Sequence, residues 1–301
     1  MLLIASALLL VAAPLLVWSA GLFNARRTPA GAASAPVLPW NGKLILLSAL
    51  LYTLAFNLTF FIQELFLVLP KALTPGLQPT LFHNNHGWQG EHPLASLFQG
   101  TGALATALTG ACCALLLSRR TGTRSTAGGL FLFWMAYSGL FMALPQVVIG
   151  ALSTGSDVGM AMEYLRLGAG AKNAAALLAL AVIPPFALWL GQRLLGVAEN
   201  SAQIASPRAR NRFVFQTATL PALMAVALII PFRIPREPVE VVLLPVLVTV
   251  IGIAWIQAGA WRTTTTVAAG SRVGSLVYPL IAVLALLAVF QLLLRPGIRF
   301  Y

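Results

Sequence analysis

Glu64 is the residue whose type and position suggest chemistry most directly, because it lies inside the long apolar run 44–70. An ionisable side chain at membrane depth costs about 2.5 kcal/mol or more, so it normally has a partner or a function. Asp157 follows the end of another apolar run, at a similar depth on the same side. Two acids in a cavity between helices can bind a cation or exchange a proton, which makes Glu64 the candidate catalytic residue. The alternative is that Glu64 is protonated and hydrogen-bonded, while Asp157 is an ordinary helix N-cap.

All the histidines of the chain lie in one short segment, at His83, His86 and His92. A His-x-x-His spacing can chelate zinc on a turn or short helix, and a third ligand completes such a site. The three histidines and Asp157 are therefore the candidate metal ligands. Asn84, Gly87 and Gly90 instead favour turns, so the segment can also be a hairpin whose imidazoles only form hydrogen bonds.

A basic cluster forms a third candidate site, and it consists of Arg208, Arg210 and Arg212. In a loop at the membrane surface, each basic residue contributes about 1 kcal/mol to the binding of anionic lipid head groups. The alternative is that the cluster only determines topology.

The composition excludes a soluble protein of ordinary type. Hydrophobic residues make up 59% of the 301 positions and charged residues only 9%, far from the balance of a globular domain. The formal net charge of +12 does not indicate nucleic-acid binding, because the basic residues are spread over short loops without interleaved aromatics. The adjacent Cys112 and Cys113 lie in an apolar run, where they are interpreted as packing residues.

Apolar stretches of about 20 residues recur along the chain, and each is long enough to cross the hydrocarbon core as a helix. The predicted spans are 2–22, 44–70, 94–117, 128–151, 173–195, 213–232, 239–260 and 274–294. The predicted fold is therefore an all-α polytopic transmembrane helix bundle of about eight spans, forming a single integral membrane domain over residues 1–301.

Basic residues are distributed unevenly over the two sides that eight spans define. One side carries twelve basic residues and one acid, Glu199, whereas the other carries seven basic residues and five acids. The basic excess assigns the first side to the cytoplasm. We therefore expect a multi-pass protein of a bacterial inner membrane with both termini on the non-cytoplasmic side.

Small residues and prolines predict how some spans pack. Gly102, Thr106 and Gly110 follow each other at four-residue spacing, which lets another helix approach closely. Internal prolines in the middle spans predict kinks.

The segment from Phe61 to Leu67 resembles the motif helix of site-2-protease-type intramembrane metalloproteases. That family carries His-Glu-x-x-His, in which the histidines bind zinc and the glutamate activates water. Here Gln63 and Leu67 stand at the two histidine positions, and Asp157 resembles the third zinc ligand of the family. The resemblance covers about residues 55–165 and implies a protease-like core over 44–172, with a helical extension over 173–301. A leucine cannot ligate zinc, so the resemblance implies a degenerate member without protease chemistry.

Three functions follow from these patterns. The first is a non-catalytic, pseudoprotease-like scaffold or subunit without a cofactor, whose partners are the lipid bilayer and another membrane protein. The second is a metal-dependent membrane hydrolase that uses zinc on the histidine segment with Glu64 and Asp157. The third is a transporter or proton pathway through Glu64. A lipid-modifying enzyme would require a polar pocket at head-group depth, which the side carrying these histidines and acids can supply.

Overall fold

Long apolar helices make up most of the protein. The computed structural model describes residues 2–27, 40–119, 125–262 and 271–301. The helices in this part of the chain are α1 (2–27), α2 (Gly42–Ala72), α3 (Ala95–Ser118), α4 (Thr126–Leu152), α5 (Asp157–Tyr164), α6 (Ala169–Leu195), α7 (Pro207–Arg233), α8 (Pro238–Gly259) and α9 (Val277–Leu294). All except α5 are long and apolar enough to cross a membrane. This confirms the predicted all-α polytopic bundle and its eight spans.

The largest error in the predicted spans is at α7, which begins at Pro207 rather than at residue 213. The side-chain oxygen of Ser206 accepts a hydrogen bond of 3.1 Å from the backbone N–H of Ala209 and so caps this helix. Proline at the first helical position also favours this start, because its missing N–H would have no partner there. The sequence predicted that the arginine cluster lies in a loop. This prediction is wrong, because the cluster lies in the first two turns of α7.

Helix α2 is the central element, and it packs against α3, α4, α7 and α9. The side chain of Asn41 caps its first turn by accepting a hydrogen bond of 3.0 Å from the N–H of Leu44. Polar side chains on α2 face the interior, and they include Ser48, Thr53, Asn57 and Gln63. We call the end of the bundle where α2 begins the arginine end, and the end where α2 finishes the hairpin end.

Glycines bring α3 against its neighbours, as the small-residue spacing predicted. A Cβ atom on Gly139 of α4 would lie 2.6 Å from the Cα atom of Gly110 and 2.6 Å from the carbonyl oxygen of Thr106. A Cβ atom on Gly102 would lie 2.7 Å from the side chain of Leu67. The backbones of these helices can therefore meet only because these positions carry no side chain.

Aromatic side chains fill the middle of the bundle between α2, α4 and α8. The rings of Tyr52 and Trp134 stack at 4.2 Å, and the Tyr52 hydroxyl lies 3.0 Å from the hydroxyl of Thr249. The hydroxyl of Tyr137 donates to the backbone carbonyl of Thr249 at 2.7 Å. Because each buried hydroxyl has a partner on another helix, this cluster fixes how the three helices lie.

A small sheet covers the hairpin end. Strand β1 (Gln78–Leu81) pairs antiparallel with β2 (His86–Gln89) and with β3 (Ile298–Arg299). Gly90 has a φ of 91°, and a Cβ atom there would lie 1.9 Å from the carbonyl oxygen of Gly76. Only glycine tolerates both conditions, which explains how the hairpin closes over the end of α2.

Candidate functional site

A cavity of about 540 Å³ lies at the hairpin end, and it is the centre of the candidate site. Its lining includes the charged or polar side chains of Glu64, Asn84, Asn85, His86, Gln99, Asp157, Arg233, Arg236 and Glu240. The rest of the lining is aromatic or aliphatic, and it consists of Phe60, Trp88, Val239, Leu243, Leu244 and Leu247. The volume lies in the range of small-molecule sites, which combine apolar walls with a few polar groups.

The imidazole of His86 joins two polar side chains of the cavity lining. Its Nδ1 atom lies 2.9 Å from Oε2 of Glu64, and its Nε2 atom lies 2.9 Å from Oε1 of Gln99. The ammonium of Lys71 donates to the same Gln99 oxygen at 3.1 Å and to the carbonyl of Leu67 at 2.7 Å. Glu64 is therefore enclosed by polar groups from other elements, as the sequence argument required.

The proton of the Glu64–His86 pair has two positions that the surroundings accept. An ammonium only donates, so Lys71 identifies the atom of Gln99 between it and His86 as the oxygen. His86 Nε2 must then donate to Gln99. A second proton lies either on His86 Nδ1 beside an ionised Glu64, or on Glu64 beside a neutral imidazole. Both forms of the pair have zero net charge, so a proton can shift between them without creating an unpaired charge in the interior.

Local structure explains why these side chains meet. Glu64 and Lys71 lie seven residues apart on α2, which places them on the same helix face two turns apart. His86 begins β2, and its ring stacks on that of Trp88 with a centroid distance of 6.0 Å. The Lys71 ammonium lies 4.6 Å from the centre of the Trp88 ring. The hairpin therefore presents its histidine to the outer turns of α2.

Asp157 lies at the start of α5 and lines the same cavity. The N-cap of α5 is Ser156, whose oxygen accepts from the N–H of Gly159 at 3.2 Å, so the alternative interpretation of Asp157 as the cap is wrong. Burial raises the pKa of the Asp157 carboxyl above its usual value of 3.8, although the nearby His86 lowers it. The structure therefore brings Asp157 to the Glu64–His86 pair, and its surroundings favour the neutral acid.

The sequence analysis missed the charged residues that α7 and α8 contribute. Arg233 ends α7. Arg236 lies just before α8, and Glu240 lies in its first turn. Arg236 and Glu240 form an ion pair at 2.5 Å. In the sequence these residues are only three of the charges on the side that carries seven basic residues and five acids. Their spacing carries no motif, and only the meeting of α2 with the α7–α8 connection shows that they belong to a site.

A second cavity of about 220 Å³ continues from the first one towards the middle of the bundle. The two cavities share four lining residues, which are Phe60, Asp157, Leu244 and Leu247. The deeper lining is mostly apolar and includes Phe141, Met142, Pro145, Ile149, Val248 and Ile251. Its polar members are Gln63, Gln146, Ser156 and Asp157, and the two glutamines bond to each other at 2.9 Å. The polar chamber therefore passes directly into an apolar one.

The other two histidines lie elsewhere in the hairpin segment. His83 is buried, but it is not among the residues that line the polar cavity. Burial lowers the pKa of its imidazole, and the guanidinium groups of Arg295 and Arg233 lower it further. His92 accepts a hydrogen bond of 3.2 Å from the backbone N–H of Leu94. Of the three histidines, only His86 reaches Glu64.

The donor set does not fit a zinc site. Both ring nitrogens of His86 already have partners, and His83 faces a different environment. Within residues 2–27, 40–119, 125–262 and 271–301, no three His, Cys, Asp or Glu side chains are grouped to hold a metal ion. Gln63 and Leu67 pack against Gly102. The zinc hypothesis stays a prediction that the described geometry does not support.

The arginine cluster of α7 lies at the opposite end of the bundle. The guanidinium of Arg210 donates to the carbonyl of Ile204 at 3.2 Å, and that of Arg212 lies 5.2 Å from the centre of the Trp40 ring. The Trp40 contact and the buried position of Arg210 give these two side chains roles within the protein. Lipid binding by Arg208, Arg210 and Arg212 stays a prediction.

No protein-family model matches the chain, and neither a curated protein nor a solved structure shows significant similarity to it. The resemblance to site-2 proteases therefore stays a prediction.

Proposed function

We propose that this membrane protein binds a lipid-like amphiphile in the two connected cavities and holds its head group against the Glu64–His86 pair. The observation that carries the proposal is the change from a polar to an apolar lining where the two cavities share residues. A molecule with a polar head and a hydrocarbon chain matches this change along its own length.

The depth of the cavities supports an amphiphile rather than a small polar molecule. Helix α8 contributes Glu240 and Leu247 to the first cavity and Ile251 to the second. At 1.5 Å per residue, the lining descends about 16 Å along α8 from Glu240 to Ile251. This distance leads from the surface well into the hydrocarbon region, where only an apolar group is at low free energy.

A strip of exposed residues supplies an entrance from the bilayer. Val239, Leu243 and Leu247 recur every four residues along one face of α8, and they are 66%, 48% and 46% exposed. Exposed apolar side chains on a membrane span contact lipid, so the first cavity borders on the acyl chains. An amphiphile can therefore enter sideways without leaving the membrane.

The acid–base pair defines what the site does to a bound head group. Glu64 and His86 both line the cavity, and a proton can pass between them across 2.9 Å. A carboxyl and an imidazole paired in this way are suited to general acid–base catalysis on a hydroxyl, ester or phosphoryl group of the ligand. Both side chains are then placed to contact the head group.

Photolabelling of the full-length protein in nanodiscs tests the proposal. An alkyl amphiphile with a diazirine at the end of its chain is expected to crosslink to α8 around Leu247–Ile251 and to α4 around Pro145–Ile149. The substitution Leu244→Trp fills the junction of the cavities and should lower this crosslinking at least about fivefold. Leu178→Trp is the matched control, because Leu178 is exposed on α6 and lines neither cavity. Equal labelling in both variants, or labelling spread over all spans, would contradict the proposal and favour the scaffold interpretation.

A second candidate function is a proton pathway through Glu64. The buried side chain of Asn57 on α2 favours it. Asn57 lies seven residues before Glu64 and is 1% exposed, and its Oδ1 atom has no hydrogen-bond partner among the described residues. A water molecule at that oxygen would extend the polar groups of α2 towards the aromatic cluster. Proton flux into liposomes that is lost in Glu64→Gln supports this candidate, whereas flux equal to that of empty liposomes excludes it.

A further inference from the structure

Arg233 is a buried cation without a complete set of partners. Its side chain lines the polar cavity, and the residue is only 4% exposed. The Nε atom donates to the backbone carbonyl of Glu240 at 3.3 Å, whereas the Nη1 atom has no hydrogen-bond partner among the described residues. A guanidinium remains charged at any ordinary pH and presents five N–H donors, so an unpaired nitrogen in the interior is costly.

The surroundings hold this guanidinium in place. It lies over the ring of Phe60, with its central carbon 4.5 Å from the ring centre. The side-chain amide of Asn84 donates to the backbone carbonyl of Arg233 at 2.7 Å and so ties the hairpin to the end of α7. An immobilised donor next to a cavity is pre-organised for a ligand acceptor, because little conformational entropy remains to be lost.

The other charges of the cavity largely cancel in pairs. Glu64 is paired with His86 at 2.9 Å, and Arg236 is paired with Glu240. No carboxylate in the described part of the chain forms an ion pair with Arg233. The remaining acid of the lining is Asp157, and it forms no ion pair with Arg233 either. Arg233 is therefore a cation of this cavity that has no direct ion-pair partner among the described residues.

We infer that Arg233 binds an anionic head group, a phosphate or carboxylate, on the amphiphile that occupies the cavity. This inference rests on the proposed function and adds the chemical class of the ligand. A guanidinium matches both anions with parallel N–H···O bonds. The anion would lie between Arg233 and Glu64, which brings the atoms next to it within reach of the acid–base pair.

Two photoreactive amphiphiles with the same chain test the inference. One carries a phosphate head and the other an uncharged sugar head, and both are titrated against the full-length protein in nanodiscs of zwitterionic lipid. The phosphate-headed probe is expected to label at a concentration at least about tenfold lower, because charge-assisted bonds are about twice as strong as neutral ones. Arg233→Gln should reduce this preference to less than about twofold. Arg299→Gln should retain it, because Arg299 is exposed on β3 and does not line the cavity.

The outcomes separate this inference from the proposed function. Equal labelling by both probes in the wild-type protein overturns the anion inference and leaves amphiphile binding intact. Labelling of the cavity by neither probe overturns the proposed function. Competition by inorganic phosphate at the same concentration as the alkyl phosphate supports an anion site but overturns the lipid-like ligand. The comparison of the two probes in the wild-type protein requires no variant. If Arg233→Gln fails to fold, Arg233→Lys replaces it; this variant keeps the positive charge but loses the paired N–H donors of the guanidinium, so it should show an intermediate preference.

Discussion

The imidazole of His86 lies 2.9 Å from the carboxylate of Glu64, although 22 residues separate them in the sequence. The side chains of His86 and Glu64 are only 9% and 7% exposed. The hydrogen bond between them therefore offsets part of the free-energy cost of removing both groups from water. The geometry explains how an acid persists within an apolar helix, and it places that acid in the lining of the polar cavity.

Loss of both members of this pair should destabilise the protein less than the sum of the two single losses. His86→Ala leaves a buried carboxyl without its partner, so we expect the single changes His86→Ala and Glu64→Ala to be non-additive, with a coupling of about 1–3 kcal/mol. The measurement is a double-mutant cycle of unfolding in detergent micelles. Lys172 and Glu163 provide the control pair, because Glu163 is 51% exposed and such pairs couple by less than about 1 kcal/mol. Additive effects at residues 64 and 86 would contradict the assignment of a buried pair.

Gly139→Ala should force α3 and α4 apart. The new Cβ atom would lie 2.6 Å from backbone atoms of Thr106 and Gly110, which cannot move as a flexible side chain does. We expect a loss of about 1–3 kcal/mol in the free energy of unfolding. Gly170→Ala is the control, because no atom lies within 4 Å of its Cβ position, and alanine favours a helix. Similar stability of Gly139→Ala and Gly170→Ala would contradict this close contact between the backbones of α3 and α4.

Asp157→Asn should stabilise the protein near neutral pH. Because burial raises the pKa of this carboxyl above 3.8, the unfolded chain releases the proton at a lower pH than the native protein does. The free energy of unfolding therefore falls as the pH rises from 3.8 through the native pKa. Thermal unfolding of both proteins at about pH 4 and about pH 7 should show a larger advantage of the variant at pH 7. An advantage that is independent of pH, or absent, would contradict the role of burial.

His83→Gln should remove a loss of stability at acidic pH. Burial lowers the pKa of the His83 imidazole below 6.5, so the unfolded chain takes up this proton at a higher pH than the native protein does. The free energy of unfolding therefore decreases as the pH falls through 6.5. Unfolding midpoints at about pH 7.5 and about pH 5.5 should decrease less in the variant than in the wild type. His92→Gln, at a partly exposed position, should behave like the wild type; an identical decrease in all three proteins is the contrary result.

The positive-inside rule predicts the orientation of the bundle, and site-directed labelling can test it. Cys112 and Cys113 are first replaced by serine, and Tyr301→Cys or Ser201→Cys is then introduced; both target positions are exposed. A membrane-impermeant maleimide should label residue 301 in intact cells and residue 201 only after permeabilisation. The reverse pattern would place the hairpin end and its cavity on the cytoplasmic side.

Periodic and compositional signals were sufficient for the bundle itself. The eight spans were predictable because backbone groups in lipid must be satisfied within helices, so apolar length alone identifies them. The close contact at Gly110 was predictable for a similar reason, since small residues at four-residue spacing lie on one face. The start of α7 at Pro207 was missed because charged side chains interrupt the apolar run, although the helix continues through them.

Chemistry-bearing residues were visible in the sequence, but their grouping was not. The isolated acid at position 64 and the histidine segment stood out by residue type, yet nothing in the spacing selects His86 over His83 as the partner of Glu64. The register of the hairpin and the course of α2 decide that choice. Arg233 was unremarkable as a loop charge, because burial and the lack of a partner for Nη1 arise only when α7, α8 and the hairpin meet around one cavity. A sequence determines which groups lie at which depth along each helix, whereas contacts between distant helices depend on packing that no local pattern encodes.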